Sequence, residues 1–460
     1  MKEVQLVVIG GGAAGMAAAV SARRNGVQDI LILERNNSLG GVLRQCIHNG
    51  FGLHRFKEDL TGVEFAAKYE DMVREMEIPF LLNTFVIELK PDKTITAVNP
   101  RQGLIEIRAQ SIILAMGCRE RSRNALLIPG ARGAGIMTAG TAQRYLNIDG
   151  YLPGRRIVIV GSGDIGLIMA RQFVLEDCQV AAVVEIMPWS GGLPRNMKQC
   201  IEDFGIPVYY NSVIAQVKGK ERVSSVLVAS VDENRRIIPG TEFEIECDTL
   251  LISAGLIPEN ELTEQAGIRL SRATKGAEVS EELETSIPGI FSCGNVLHVH
   301  DLVDFVSEEA EEAGQNAVAW LAANGRLSGA AAQQLPADSS PESSVSPESS
   351  ASPEFPKSRL SQEASETSAD NIIPAVSGSG VGGIVPQFVR RGTEKRAISF
   401  MFRPRNRFRD AVITASSGSD ELIRKKAIAL TPGEMCRVTI PAKKLAKASE
   451  IRFSVEGTVV

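Results

Sequence analysis

One pattern occurs twice in this chain, and it constrains the fold more than anything else in the sequence. Val7-Val-Ile-Gly-Gly-Gly-Ala-Ala-Gly15 leads into an alanine-rich run and then Ile30-Leu-Ile-Leu-Glu34. Much later, Arg156-Ile-Val-Ile-Val-Gly-Ser-Gly-Asp-Ile-Gly166 leads into a helical run and then Val180-Ala-Ala-Val-Val-Glu185. Each reads as strand, glycine turn, helix, strand, acid. Gly10, Gly12 and Gly15, and again Gly161, Gly163 and Gly166, fit G-x-G-x-x-G. In that fingerprint the first glycine makes the tight turn, the second lets backbone approach a pyrophosphate, and the third lets helix and strand pack closely. Free N–H groups at the helix start favour the anion. The acid about 20 residues further on accepts hydrogen bonds from a ribose diol. Two closing strands also echo each other: Ser111-Ile-Ile-Leu-Ala-Met-Gly117 and Thr249-Leu-Leu-Ile-Ser-Ala-Gly255. The chain therefore holds two dinucleotide units.

The remaining sequence is less periodic. A helix is expected from about 62 to 77, then short strands around 80–88, 93–98 and 104–108. Residues 329–369 are rich in Ser, Pro, Glu and Ala, with too few large apolar side chains to offset ordering entropy, which predicts a disordered linker. Alternating strands resume beyond it, punctuated by Pro, Gly, Asn and Ser, as in a small β-sandwich. From Asn371 onward there are 16 Lys and Arg against 7 Asp and Glu, so this stretch is +9 and the remainder −14. The basic residues alternate with apolar ones, which predicts a solvated sheet face, or docking onto an acidic partner, over nucleic-acid binding. Aromatics at 5% leave little for base stacking. The seven cysteines show no C-x-x-C spacing, and no stretch reads as a signal peptide or a membrane span. These features predict a cytoplasmic protein with neither a disulfide framework nor a metal site.

On these motifs the first 326 or so residues resemble the two-dinucleotide-domain flavoproteins of the pyridine-nucleotide–disulfide oxidoreductase superfamily. The resemblance implies an α/β fold with an FAD-binding domain over 1–122 and 259–326, an NAD-binding domain inserted over 123–258, a linker over 327–371 and a β-sandwich-like module over 372–460. It assigns Gly10, Gly12, Gly15, Glu34, Arg35, Gly41, Val86, Ala115 and Gly117 to FAD. It assigns Gly161, Gly163, Gly166, Glu185 and Gly255 to the nicotinamide cofactor and its linking motif. Ile290-Phe-Ser-Cys-Gly294-Asn295, with Val306 after it, matches the segment that reaches the flavin ribityl chain; Asn295 stands where the family usually has Asp. A narrower likeness is to an NADH oxidase-like branch, through Cys46-Ile-His-Asn-Gly-Phe-Gly-Leu-His54 and Gly294-Asn-Val-Leu-His-Val-His-Asp301. That branch accompanies a glycerol-3-phosphate dehydrogenase-like flavoprotein and a small cysteine-rich protein. The likeness implies such partners, within a homo-oligomer or hetero-complex.

Glu185 at a strand end suits the 2′-hydroxyl of NAD and repels a 2′-phosphate, which predicts NADH over NADPH. The family's disulfide reductases carry G-G-x-C-x-x-x-x-C. Laid on Gly40-Gly41, the two cysteine places are Leu43 and His48, so the redox dithiol is missing. Cys46 remains, either as an inert thiol or as a thiolate helped by a helix N-terminus or His48. All four histidines (48, 54, 298 and 300) fall in the two segments expected at the flavin. His48 and His300 are the candidate proton donors or anion contacts. The expected activity is electron transfer from NADH through flavin to a partner protein or small acceptor, oxygen included. The alternatives are the flavin subunit of an amine or amino-acid dehydrogenase complex and a non-catalytic electron-relay subunit.

Overall fold

The structure is a computed structural model that describes residues 2–327 and 371–459; the expected linker falls almost wholly outside them. In the first unit, β1 (Lys2–Ile9) feeds α1 (Ala13–Arg24), which returns to β2 (Ile30–Leu33). Parallel pairing puts Val8 opposite Ile32 and Ile9 opposite Leu33. After α2 (Gly62–Glu75) the chain reaches β3 (Gly103–Leu114), which pairs in parallel with β1 on its other side. All of β2 is buried, as befits a parallel strand covered on both faces. One expectation is corrected here. Residues 104–108 and 111–117 were expected as separate strands, but 103–114 form one. The polar interruption at Ser111 is tolerated because its hydroxyl donates to Gly289 O at 2.9 Å.

The second unit repeats the design. β4 (Arg156–Val160), α3 (Asp164–Leu175) and β5 (Gln179–Val184) are followed by α4 (Pro194–Cys200) and β6 (Thr249–Ile252). β4 lies between β5 and β6, as β1 lies between β2 and β3. The units are joined by an antiparallel ribbon pairing Cys118–Glu120 with Leu256–Pro258. The chain then completes the first sheet with β7 (Ile290–Ser292), beside the C-terminal half of β3. The long helix α5 (Val303–Ala323) packs on α1. Alanines dominate α1 because both its faces are covered: Ala17, Ala18 and Ala19 are wholly inaccessible. A Cβ at Gly314 of α5 would lie 2.5 Å from Ala18 O, so the backbones touch there.

The C-terminal module is a two-sheet sandwich. β8 (Ala397–Pro404), β9 (Phe408–Ser417), β10 (Cys436–Pro441) and β11 (Ile451–Val459) carry most of it. β8 and β10 lie in one sheet, β9 and β11 in the other, and Phe400, Phe402 and Phe453 fill the space between. Its basic side chains do not simply face water. Arg390 pairs with Glu282 at 2.7 Å and with Glu284, Arg437 with Glu308 at 3.0 Å, and Lys395 with Glu312. Acidic residues of the same chain therefore meet part of this basic stretch.

Candidate functional site

A cleft of about 1180 Å³ runs between the two dinucleotide units. Both glycine turns are built alike around it. Gly10 has φ +107° and Gly161 φ +94°, and a Cβ on either would strike the carbonyl of the closing strand: Ala115 O at 2.4 Å and Ser253 O at 2.2 Å. Gly15 and Gly166 pack against the turns themselves, their Cβ positions lying 1.8 Å from Gly10 O and 2.7 Å from Gly161 O. Gly12 and Gly163 are different. Neither Cβ position has a heavy atom within 4 Å, both residues line the cleft, and each is the residue before its helix.

Neither helix has a side-chain N-cap. α2, by contrast, has Thr61 and Glu64 in a reciprocal capping box, while α4 and α5 also lack a side-chain cap. A missing cap costs about 1 kcal/mol. At the starts of α1 and α3, beside Gly12 and Gly163 in the cleft wall, the free N–H groups suit a pyrophosphate. The residues present therefore fit two dinucleotides.

The two acids also correspond. Glu34 accepts from Gly11 N at 2.7 Å and Asn36 N at 2.8 Å; Glu185 accepts from Ser162 N and Met187 N, both at 2.8 Å. Ser162 Oγ adds a third bond at 2.7 Å. Each carboxylate thus braces its turn with part of its acceptor capacity and leaves the rest unused. Arg35, Gly41, Val86, Ala115, Gly117, Gly255, Asn295 and Val306 line the cleft. Gly15, Gly161, Gly166, Glu185 and Gly294 do not, and apart from Glu185 they serve close packing; a Cβ at Gly294 would meet Ala14 Cβ at 2.8 Å.

The histidines separate. His48 and His300 line the cleft. His54 instead stacks on Phe305 with 5.4 Å between ring centroids. Its backbone is held away by Asp304, which accepts from the N–H groups of Gly52, His54 and Arg55. His298 is buried and donates Nε2–H to Glu309 at 2.6 Å, while His300 Nε2 lies 3.1 Å from the same carboxylate, which also accepts from Gly294 N at 2.7 Å. Burial opposes ionisation of Glu309, but the two imidazoles outweigh it and hold its carboxyl well below the usual range. Burial, with His300 and Arg403 nearby, keeps His298 neutral by lowering its pKa. These three residues form the one cluster among those described whose ligand atoms could gather about a metal; direct hydrogen bonds already join them.

Sequence reasoning missed Glu309. Its signal was an acid on the apolar face of α5, among the buried Val306, Ala310 and Ala313. It also missed Arg403 of β8, which enters the cleft wall from the C-terminal module. Arg403 pairs with Asp301 and donates to Val299 O at 3.1 Å; Met435 N adds a bond to Asp301 at 2.6 Å.

Cys46 lines the cleft, but the activation considered for it is not there. Burial pushes its thiol up to about 12, and its sulfur contacts are acceptors, Val42 O at 3.4 Å and Gln143 Oε1 at 3.9 Å, which favour the protonated form. His48 is not among the hydrogen-bond partners of that sulfur, and burial, then Arg195 and Arg171, lower its own pKa. All seven cysteines are unpaired thiols.

Comparison with known proteins agrees with this geometry. The chain belongs to the pyridine nucleotide-disulphide oxidoreductase family, whose profile matches residues 4–319. Its cofactors are those of the family, FAD and NAD(P)H. It is 26% identical over 317 residues to hydrogen cyanide synthase subunit HcnB of Pseudomonas aeruginosa, covering 63% of this chain and 66% of that protein. It is 25% identical over 325 residues to an NADH oxidase of Methanocaldococcus jannaschii, covering 66% and 65% respectively. The chain thus spans slightly less than two thirds of these curated relatives. Among solved structures it superposes on thioredoxin reductase from T. acidophilum with a TM-score of 0.58 and 22% identity, covering 69% of this chain and 99% of the other. That last likeness is one of fold. No helix among the described residues is long and apolar enough to cross a membrane.

Proposed function

We propose that the protein is an FAD-dependent oxidoreductase that takes electrons from NADH and delivers them, without a redox dithiol, to a partner protein or small acceptor, oxygen included. The observation that carries this reading is the shared cleft, on which the starts of both α1 and α3 open, with a buried carboxylate bracing each turn. Hydride transfer itself belongs to the two cofactors once bound. The chain supplies their placement. Gly12 and Gly163 leave room for backbone to approach phosphate, and Glu34 and Glu185 accept from ribose hydroxyls. His300, oriented by Asn295 and Glu309, presents an imidazole to the cleft. Glu185, only 7% exposed, would lie against any 2′-phosphate, which supports NADH over NADPH.

Similarity to an NADH oxidase supports the donor, and similarity to a synthase subunit supports a partner. The partners proposed are a flavoprotein dehydrogenase and a small cysteine-rich protein. Seven unpaired thiols suit the reducing cytoplasm. Steady-state rates of the FAD-loaded protein with NADH and NADPH test the preference; comparable efficiencies would remove it. A second reading, the flavin subunit of an amine dehydrogenase complex, rests on the likeness to a subunit. Flavin reduction by an amine, with no response to NADH, would favour it.

A further inference from the structure

Beside the cofactor cleft lies a second cavity, of about 670 Å³, between the 47–51 loop of the first unit and helices α3 and α4 of the second. The two share a wall: His48, Phe51, Asp164, Asp301 and Leu302 line both. Two guanidinium groups, Arg171 of α3 and Arg195 of α4, line only the second cavity. Neither makes an ion pair or hydrogen bond among the described residues. The carboxylates in the same wall are engaged elsewhere. Asp164 accepts from Leu193 N at 2.8 Å and Asn196 Nδ2 at 2.6 Å. Asp203 pairs with Lys198 at 3.1 Å, and Asp301 with Arg403. Of the three carboxylates only Asp164 keeps an unpaired charge, since its donors are neutral, so the lining carries two unpaired cations against one unpaired anion. The 47–51 loop is shaped to them: Gly50 has φ +114°, and a Cβ there would lie 3.0 Å from Arg195 Nη2.

Arg171 lies away from the helix start that suits a dinucleotide. It is eight residues beyond Gly163, about 12 Å along α3 from that start. Neither Gly163 nor Glu185 lines the cavity. The apolar part of the lining comes from Phe51, Ile168, Phe204 and Leu302. The volume is that of a small-molecule site.

We propose that this cavity binds a small organic anion, its anionic head on Arg171 and Arg195 and its apolar body against Phe51 and Leu302, as the second ligand of the enzyme beside the dinucleotides. The inference names a substrate class for the activity proposed above and rests on that reading only for its relevance to turnover, since occupancy is measured without turnover.

Calorimetric titration of the FAD-loaded full chain with benzoate, and with its neutral counterpart benzamide, tests it. Benzoate is expected to bind, benzamide not. Arg171→Gln and Arg195→Gln should each weaken benzoate about tenfold, the loss of one charge-assisted hydrogen bond, while retaining FAD at the wild-type ratio. Absence of benzoate binding, equal binding of benzamide, or unaltered affinity in both variants would overturn the site. So would competitive displacement of benzoate by NAD⁺, which would return the arginines to the dinucleotide. Flavin reduction by NADH, followed separately, reports on the oxidoreductase reading, so the two can fail independently.

Discussion

The guanidinium of Arg403, on a strand of the C-terminal module, is paired with the carboxylate of Asp301, in the segment that carries His300 into the cofactor cleft. Nearby, Arg407 lies 5.9 Å from the Trp189 ring centroid, and a Cβ on Gly433 would sit 2.7 Å from Gly191 O. One module thus touches both dinucleotide units, whose two chain crossings form the Cys118–Glu120 and Leu256–Pro258 ribbon and which also meet directly through Gln45 and Asn147. Arg403→Ala should leave Asp301 partly buried with one partner fewer, costing about 2 kcal/mol and loosening FAD. Thermal melting and FAD release on dilution measure both. A variant that melts and holds FAD like the wild type would show that the module does not brace the cleft.

The glycine geometry separates folding from binding. Gly15→Ala would put a methyl 1.8 Å from Gly10 O, so it should give little soluble, FAD-containing protein. Gly163→Ala meets nothing within 4 Å and has φ −73°, an ordinary value for alanine. It should fold and retain FAD while binding NADH more than about tenfold more weakly, through lost backbone approach to phosphate. Bound-FAD ratios and NADH titrations of the two variants check the contrast.

The Glu309 cluster sets an acid limit on stability. His298 is buried with its pKa below the ordinary 6.5, so below that pH the unfolded chain binds a proton the folded chain refuses. Stability should therefore fall as pH drops beneath about 6.5. Glu309, lowered from 4.5, contributes stability that is full above that value and is lost as pH falls through its folded pKa. Glu309→Gln should melt lower at neutral pH, by about 1–3 kcal/mol of stability, because one amide oxygen cannot serve three donors. The gap to the wild type should narrow only beneath about pH 4.5. Melting temperatures in buffers from about pH 4 to 8 read this; a flat wild-type profile between pH 7 and 5 would contradict a neutral His298.

With its thiol near 12, Cys46 should resist alkylation at neutral pH even though it lines the cleft. Mass spectrometry after brief iodoacetamide treatment of the folded protein should find it unmodified. Rapid modification at pH 7 would establish a thiolate.

What was legible in the sequence is what local geometry dictates. The repeated glycines, the acids Glu34 and Glu185 and the short motifs Ala115–Gly117 and Ala254–Gly255 are bound to one turn design, so they could be read residue by residue. Burial by distant segments was not legible. Arg403 follows the strict alternation of β8, but nothing local says that its face meets Asp301. Glu309 acquires its meaning from Gly294, His298 and His300, which lie on a separate loop. The four histidines fall in two short segments, yet backbone bonds to Asp304 turn the 52–55 loop away and leave His54 on Phe305.

Anaerobic titration of the FAD-loaded protein with NADH, followed by visible absorbance, tests the central claim most directly. The account predicts bleaching that is complete at one NADH per FAD and identical in Cys46→Ser, with the flavin as the sole redox centre. Uptake of a second equivalent that is lost in Cys46→Ser would contradict the inert thiol. No bleaching by NADH would contradict the account as a whole.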